Sequence, residues 1–170
     1  MAKSCDNKSV GVVIRDGDLI AIIKRINYPI SFAFVAGHLD GETAENQAKN
    51  EAREEANIII LALKELLHKT YKNPCKRDGG HGHEWTVFEA TKWEGVLRAS
   101  SDAKEAFWVK PDDLEKLVNH TLTFLKERGV VLEDSNVDVA TKLLAEDAEW
   151  LKNPGIEPVW CLMLTEIGIV

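Results

Sequence analysis

Residues 37–58 read GHLDGETAENQAKNEAREEANI, and this stretch governs how the rest of the chain is understood. A glycine-bearing loop, Ala36 to Glu42, runs into a helix expected over Ala44 to Ala56, with Thr43 as its N-cap. Asn57 suits a left-handed helix end. At about 100° per residue, Glu51, Glu54 and Glu55 share an arc of roughly 100° on one face. Ala48, Ala52 and Ala56 form a narrow apolar stripe beside them, small enough for close packing on a sheet. Three like charges within a turn repel by a few tenths of a kcal/mol per exposed pair, which a solvated acidic face tolerates. A hard divalent cation would turn that repulsion into binding. Glu42, in the preceding loop, can fold back over the same edge.

Outward from this segment, SVGVVIRDGDLIAIIKR reads as two strands joined at Asp16-Gly17, with Val10, Val12 and Ile14 alternating before the turn. A third strand is expected over Ser31 to Val35. Beyond the helix, Ile58 to Tyr71 is apolar-rich, with a strand in its second half, partnered by His83 to Thr91 across an irregular loop. Ala106 to Val109 reads as a short strand, followed by a helix from Asp112 to about Glu127 with Gly129 as its stop. Helices are expected over Val137 to Leu151 and Pro158 to Ile167. The order implies an α/β fold, a core over residues 1–128, and a helical C-terminal extension over 129–170 packed on the same domain.

With 21 basic and 28 acidic residues the chain carries a formal charge of −7, which argues against a broad nucleic-acid surface. The longest apolar runs are too short to span a bilayer. The three scattered cysteines, Cys5, Cys75 and Cys161, make a poor disulfide framework, so a cytoplasmic location is expected.

The quoted segment resembles the signature of the Nudix hydrolases, G-x5-E-x7-R-E-U-x-E-E-x-G-U, with U aliphatic. Glu42, Glu51, Glu54, Glu55 and Ile58 stand in register with it, and Ala52 takes the first U position. Three positions depart: Ala36 for the first glycine (with Gly37 adjacent), Asn50 for the arginine, and Asn57 for the last glycine. The resemblance implies a Nudix fold, a mixed sheet sandwiched between helices (α/β/α). It implies Mg²⁺ or Mn²⁺ held by Glu51, Glu54 and Glu55 with Gly37, and hydrolysis of a diphosphate linkage in a nucleoside diphosphate–X compound. The base would be Glu51 in the box, or Asp102 or Glu105 on a later loop. A competing reading is the same fold with weakened catalysis, binding a nucleotide or a protein partner; Asn50 keeps it open.

Lys24, Arg25, Tyr28, His81 and His83 are candidate substrate contacts, with Phe32 and Trp85 as further aromatic surfaces for a base. Cys75, His81 and His83, spaced C-x5-H-x-H, could belong to a zinc site but lack a fourth ligand in sequence. Val139, Leu143, Leu144, Trp150, Leu151, Trp160 and Leu164 are expected to pack the C-terminal helices onto the core, with a homodimer face as the alternative use.

Overall fold

The alternating residues around Asp16-Gly17 fold as a tight hairpin, β1 (Lys8–Asp16) and β2 (Leu19–Arg25), with Gly17 at φ 58° in the turn. The structure is a computed structural model and describes residues 3–99 and 103–170. β1 organises the sheet. It runs parallel to β6 (His83–Gly95) along one side, while its other side pairs antiparallel first with β4 (Val35–His38) and then with β2. β2 continues the sheet to β3 (Phe32–Ala33) and β7 (Ala103–Val109), and β6 carries β5 (Ile58–Tyr71) at the far edge. The sheet is therefore mixed, as the resemblance implies.

Several boundaries move: β6 runs on to Gly95 and β7 starts at Ala103, beyond the strands expected over His83 to Thr91 and Ala106 to Val109. The single strand expected over Ser31 to Val35 is two short strands, because the chain leaves β2 after Ala33 and joins β1 from Val35. β4 thereby takes in Ala36 to His38, read from sequence as loop. All of Ile58 to Tyr71 is strand, not only its second half. Register shifts near Ile60, Ala62 and Glu65 break the two-residue alternation that would have revealed it.

Helix α1 (Ala44–Ala56) buries Ala48, Ala52 and Ala56 and exposes the opposite side. After β7, α2 (Pro111–Glu127) buries Leu114, Val118 and Leu125. The helix expected over Val137 to Leu151 is broken into α3 (Val137–Glu146) and α4 (Ala148–Lys152). Asp147 causes the break: its carboxylate accepts from the N–H groups of Glu149 and Trp150 at 2.8 and 3.1 Å, capping α4. Val139 and Leu151 are exposed, at 53% and 41%, against the packing expected of them.

α5 (Pro158–Glu166) belongs to the main core. Trp160 stacks on Phe34 at 4.8 Å and meets Trp85 edge-on at 5.7 Å. Its ring lies where any Cβ at residue 11 would stand, so Gly11 is needed for this packing. Among the described residues, no helix is long and apolar enough to cross a membrane.

Candidate active site

The loop–helix segment is built as its residues dictate. Thr43 Oγ1 accepts the Asn46 N–H at 3.3 Å, opening α1. Asn57 closes it at φ 58°, ψ 34°, a conformation that asparagine tolerates. The buried alanine stripe seats the helix on the sheet, and two of its glutamates meet β4. The Ala36 N–H donates to Glu55 Oε2 at 3.0 Å. Glu51 lies against Gly37 so closely that a Cβ there would run into its carboxylate. Glu54 is exposed on the same helix face.

These donors suit a hard divalent cation. The carboxylates sit on a rigid helix, and the backbone of Ala36 and Gly37 draws two of them to one edge. Gly37 is required because only a residue without Cβ leaves room for Glu51.

Asn50, where the signature has arginine, donates to Gln47 Oε1 at 3.5 Å. Arg53 turns away and donates to Asn50 Oδ1 at 3.4 Å. Gln47 supports Glu51, its Nε2 donating to Oε1 at 2.6 Å. Sequence reasoning missed Gln47, although its i, i+4 spacing to Glu51 was legible. Of the two loop bases considered, Glu105 lies exposed on β7 opposite Lys24, while Asp102 falls outside the described residues.

A cleft of about 140 Å³ reaches Ala36 and Gly37 and is walled by Arg25, Tyr28, His38, Cys75, Lys76 and Glu157, among others. Tyr28, Cys75 and Lys76 also border an adjoining hollow of about 370 Å³, closed by Lys142 and Glu146 of α3. Together the two fall in the size range of small-molecule sites, roughly 300–1,000 Å³. The helical extension thus helps shape the cleft, which its sequence did not suggest.

The candidate substrate contacts separate here. Tyr28 lines the cleft, with Lys76 Nζ 4.6 Å from its ring centre. Lys24 Nζ sits over the Phe32 ring at 5.5 Å. Arg25 lines the cleft but is engaged: Nη1 lies 3.4 Å from Glu157 Oε2, and Nη2 donates to the Tyr28 carbonyl at 3.2 Å. Burial pushes the Glu157 carboxyl up, and Arg25 opposes that shift.

Trp85 is buried and donates to Asn73 Oδ1 at 3.0 Å, so its ring is core more than platform. His81, expected to contact substrate, is exposed and is not among the residues bordering the cleft; its Nδ1 lies 2.9 Å from the Gly79 carbonyl. His83 borders the cleft but is 2% exposed, and burial, aided by nearby His38, pushes its imidazole down to about 4. It is therefore neutral near pH 7 and offers no cation to a phosphate.

The chain belongs to the Nudix family: the model for the NUDIX domain matches residues 6–128. No curated protein matches. Among solved structures, the MutT NUDIX hydrolase from Burkholderia pseudomallei is similar at 21% identity and TM-score 0.54, over 62% of this chain and 84% of that one. The NUDIX domain of Shewanella oneidensis NrtR, complexed with ADP ribose, is similar at 15% identity and TM-score 0.53, over 68% and 79%. MutT from Bacillus halodurans gives 19%, 0.52, 64% and 71%. At these identities the likeness is one of fold, a mixed sheet with flanking helices.

Proposed function

We propose that this protein is a metal-dependent pyrophosphohydrolase that cleaves the diphosphate linkage of a nucleoside diphosphate–X compound. The observation that carries the reading is the convergence of Glu51 and Glu55 on Ala36 and Gly37, two residues that also border the cleft. Glu51, Glu54 and Glu55, with the Gly37 backbone, would hold Mg²⁺ or Mn²⁺, which supplies neutralisation of the diphosphate and a lowered pKa for the attacking water. The chain's own groups do the rest. Gln47 orients the Glu51 carboxylate, which serves as general base, and Lys76 brings positive charge to the cleft wall. Glu105 is the alternative base, on β7.

Tyr28 offers an aromatic surface to the nucleoside, and the hollow bounded by α3 takes the group X. That the NrtR domain is complexed with ADP ribose makes ADP ribose the first compound to try. In this reading the enzyme works on a small nucleotide in the cytoplasm, as a monomer or homodimer, without a nucleic-acid or membrane surface.

The test is a hydrolysis panel with Mg²⁺ or Mn²⁺: ADP ribose, nucleoside diphosphate sugars, dinucleoside polyphosphates, NADH and nucleoside triphosphates. Metal-dependent turnover of at least one compound, lost in Glu54→Gln, is expected. Wild type indistinguishable from Glu54→Gln on every compound would overturn the proposal.

A further inference from the structure

Beside the cleft, four side chains from distant parts of the chain meet. Cys5 precedes β1, His38 ends β4, Cys75 lies in the β5–β6 loop, and His83 begins β6. One ligand atom from each lies within 4.8 Å of all the others. The Nε2 atoms of His38 and His83 are 3.2 Å apart, Cys5 Sγ is 3.3 Å from His83 Nε2, and Cys75 Sγ is 3.4 Å from His38 Nε2.

Hydrogen bonding alone fits this arrangement poorly. An imidazole Nε2 has one in-plane site, either a proton or a lone pair. Here each Nε2 faces two partners, the other imidazole and a thiol. A cation at the centre uses every donor once. Bond lengths of about 2.0–2.1 Å to nitrogen and 2.3 Å to sulfur give tetrahedral edges of roughly 3.3 Å (N to N) and 3.6 Å (N to S). The observed separations lie close to these.

The surroundings point the same way. Each sulfur accepts a backbone N–H from two residues on, Asn7 to Cys5 at 3.4 Å and Arg77 to Cys75 at 3.2 Å, bonds that stabilise a thiolate. Gly80 packs so tightly on Cys75 that a Cβ would not fit, and the Cys5 N–H donates to the Asp78 carbonyl at 2.8 Å.

We propose that Cys5, His38, Cys75 and His83 bind one Zn²⁺ in a closed, structural site. Two sulfurs and two imidazoles with no oxygen ligand select zinc over the magnesium suited to the glutamates. Four protein ligands leave no open position for catalysis, so the ion ties the N-terminal segment, β4 and the β5–β6 loop into one wall of the cleft. Side chains alternate across a strand, so Gly37 serves the Glu51 side of β4 and His38 the zinc side. The inference stands on these four residues alone and does not depend on the proposed hydrolysis.

The test is metal analysis of the full chain purified without chelator and after reconstitution with Zn²⁺. About one zinc per chain is expected in wild type, in Glu54→Gln, in His81→Gln and in Cys161→Ser. Less than about a tenth of that is expected in Cys75→Ser and His83→Gln. Should those two fail to fold, Co²⁺ substitution of the wild type supplies the reading, with thiolate charge-transfer and tetrahedral ligand-field bands expected. Wild type that takes up neither ion with its cysteines reduced would overturn the site. So would zinc retained in Cys75→Ser, or a native Cys5–Cys75 disulfide.

Discussion

Gln47 Nε2 donates to Glu51 Oε1 at 2.6 Å, one helical turn before the glutamate, in place of the arginine that the Nudix signature sets beside it. The bond fixes the orientation of the carboxylate that the proposed function uses. Hydrogen bonds to charged groups contribute about 1.5–3 kcal/mol. Gln47→Ala is therefore expected to lower kcat/KM on the order of ten- to a hundredfold with the fold intact, as measured by steady-state hydrolysis and circular dichroism. Asn50→Arg in that background is expected to restore part of the loss.

Gly37→Ala separates positioning from folding. The added Cβ meets the far end of the Glu51 side chain, which can swing aside at little structural cost. Displacing a reacting group by about 1 Å costs on the order of a hundredfold in rate. Turnover is expected to fall by that order while the thermal midpoint moves little, and Mn²⁺ affinity, read by titration calorimetry, is expected to weaken.

Gly11→Ala should do the reverse. Its Cβ would meet the Trp160 ring, which is fully buried between Phe34 and Trp85 and has nowhere to go. Overpacking of this kind costs about 1–3 kcal/mol, measurable by denaturant unfolding. An unchanged midpoint would show that α5 is not locked onto β1.

The end of α5 is tied to β5 through Glu166, whose Oε2 lies 2.8 Å from Lys69 Nζ and accepts the Tyr71 hydroxyl at 2.9 Å. The Lys69 and Tyr71 bonds hold the Glu166 carboxyl below its ordinary 4.5. A depressed acid stabilises the fold where it is ionised. Its contribution is full above that ordinary value and is lost as pH falls through the lower folded value. Thermal midpoints of wild type and Glu166→Gln are expected to differ at pH 7 and to converge in strong acid.

Arg25 and Glu157 form a partly enclosed pair at 3.4 Å, with the glutamate side chain only 5% exposed. Removing the cation leaves a buried carboxyl without its partner. Arg25→Met is expected to destabilise by about 3 kcal/mol, with Arg25→Met/Glu157→Gln recovering much of it in a double-mutant cycle.

Local chemistry was readable in the residues themselves. The Asp-Gly turn, the Thr43 cap, the Asn57 helix end, the alanine stripe and the glutamate face all follow from interactions within a few residues, and so did the family. Less legible were β5, whose bulges scramble its alternation, and the break at Asp147, where a side chain caps the next helix.

What only the tertiary structure decided are the meetings between segments far apart in sequence. His38 and His83 are separated by 45 positions and Cys5 and His83 by 78, yet their ligand atoms lie within 3.3 Å of a neighbour. Of Cys75, His81 and His83, whose local spacing suggested a group, Cys75 and His83 join the cluster with His38, and His81 does not. It takes β1, paired with β4 on one side and β6 on the other, to bring His38 and His83 together. Periodicity and capping act over one or two turns, whereas sheet pairing is set by the burial of whole strands. For that reason the glutamate face could be read from one helix, and the four-residue cluster could not.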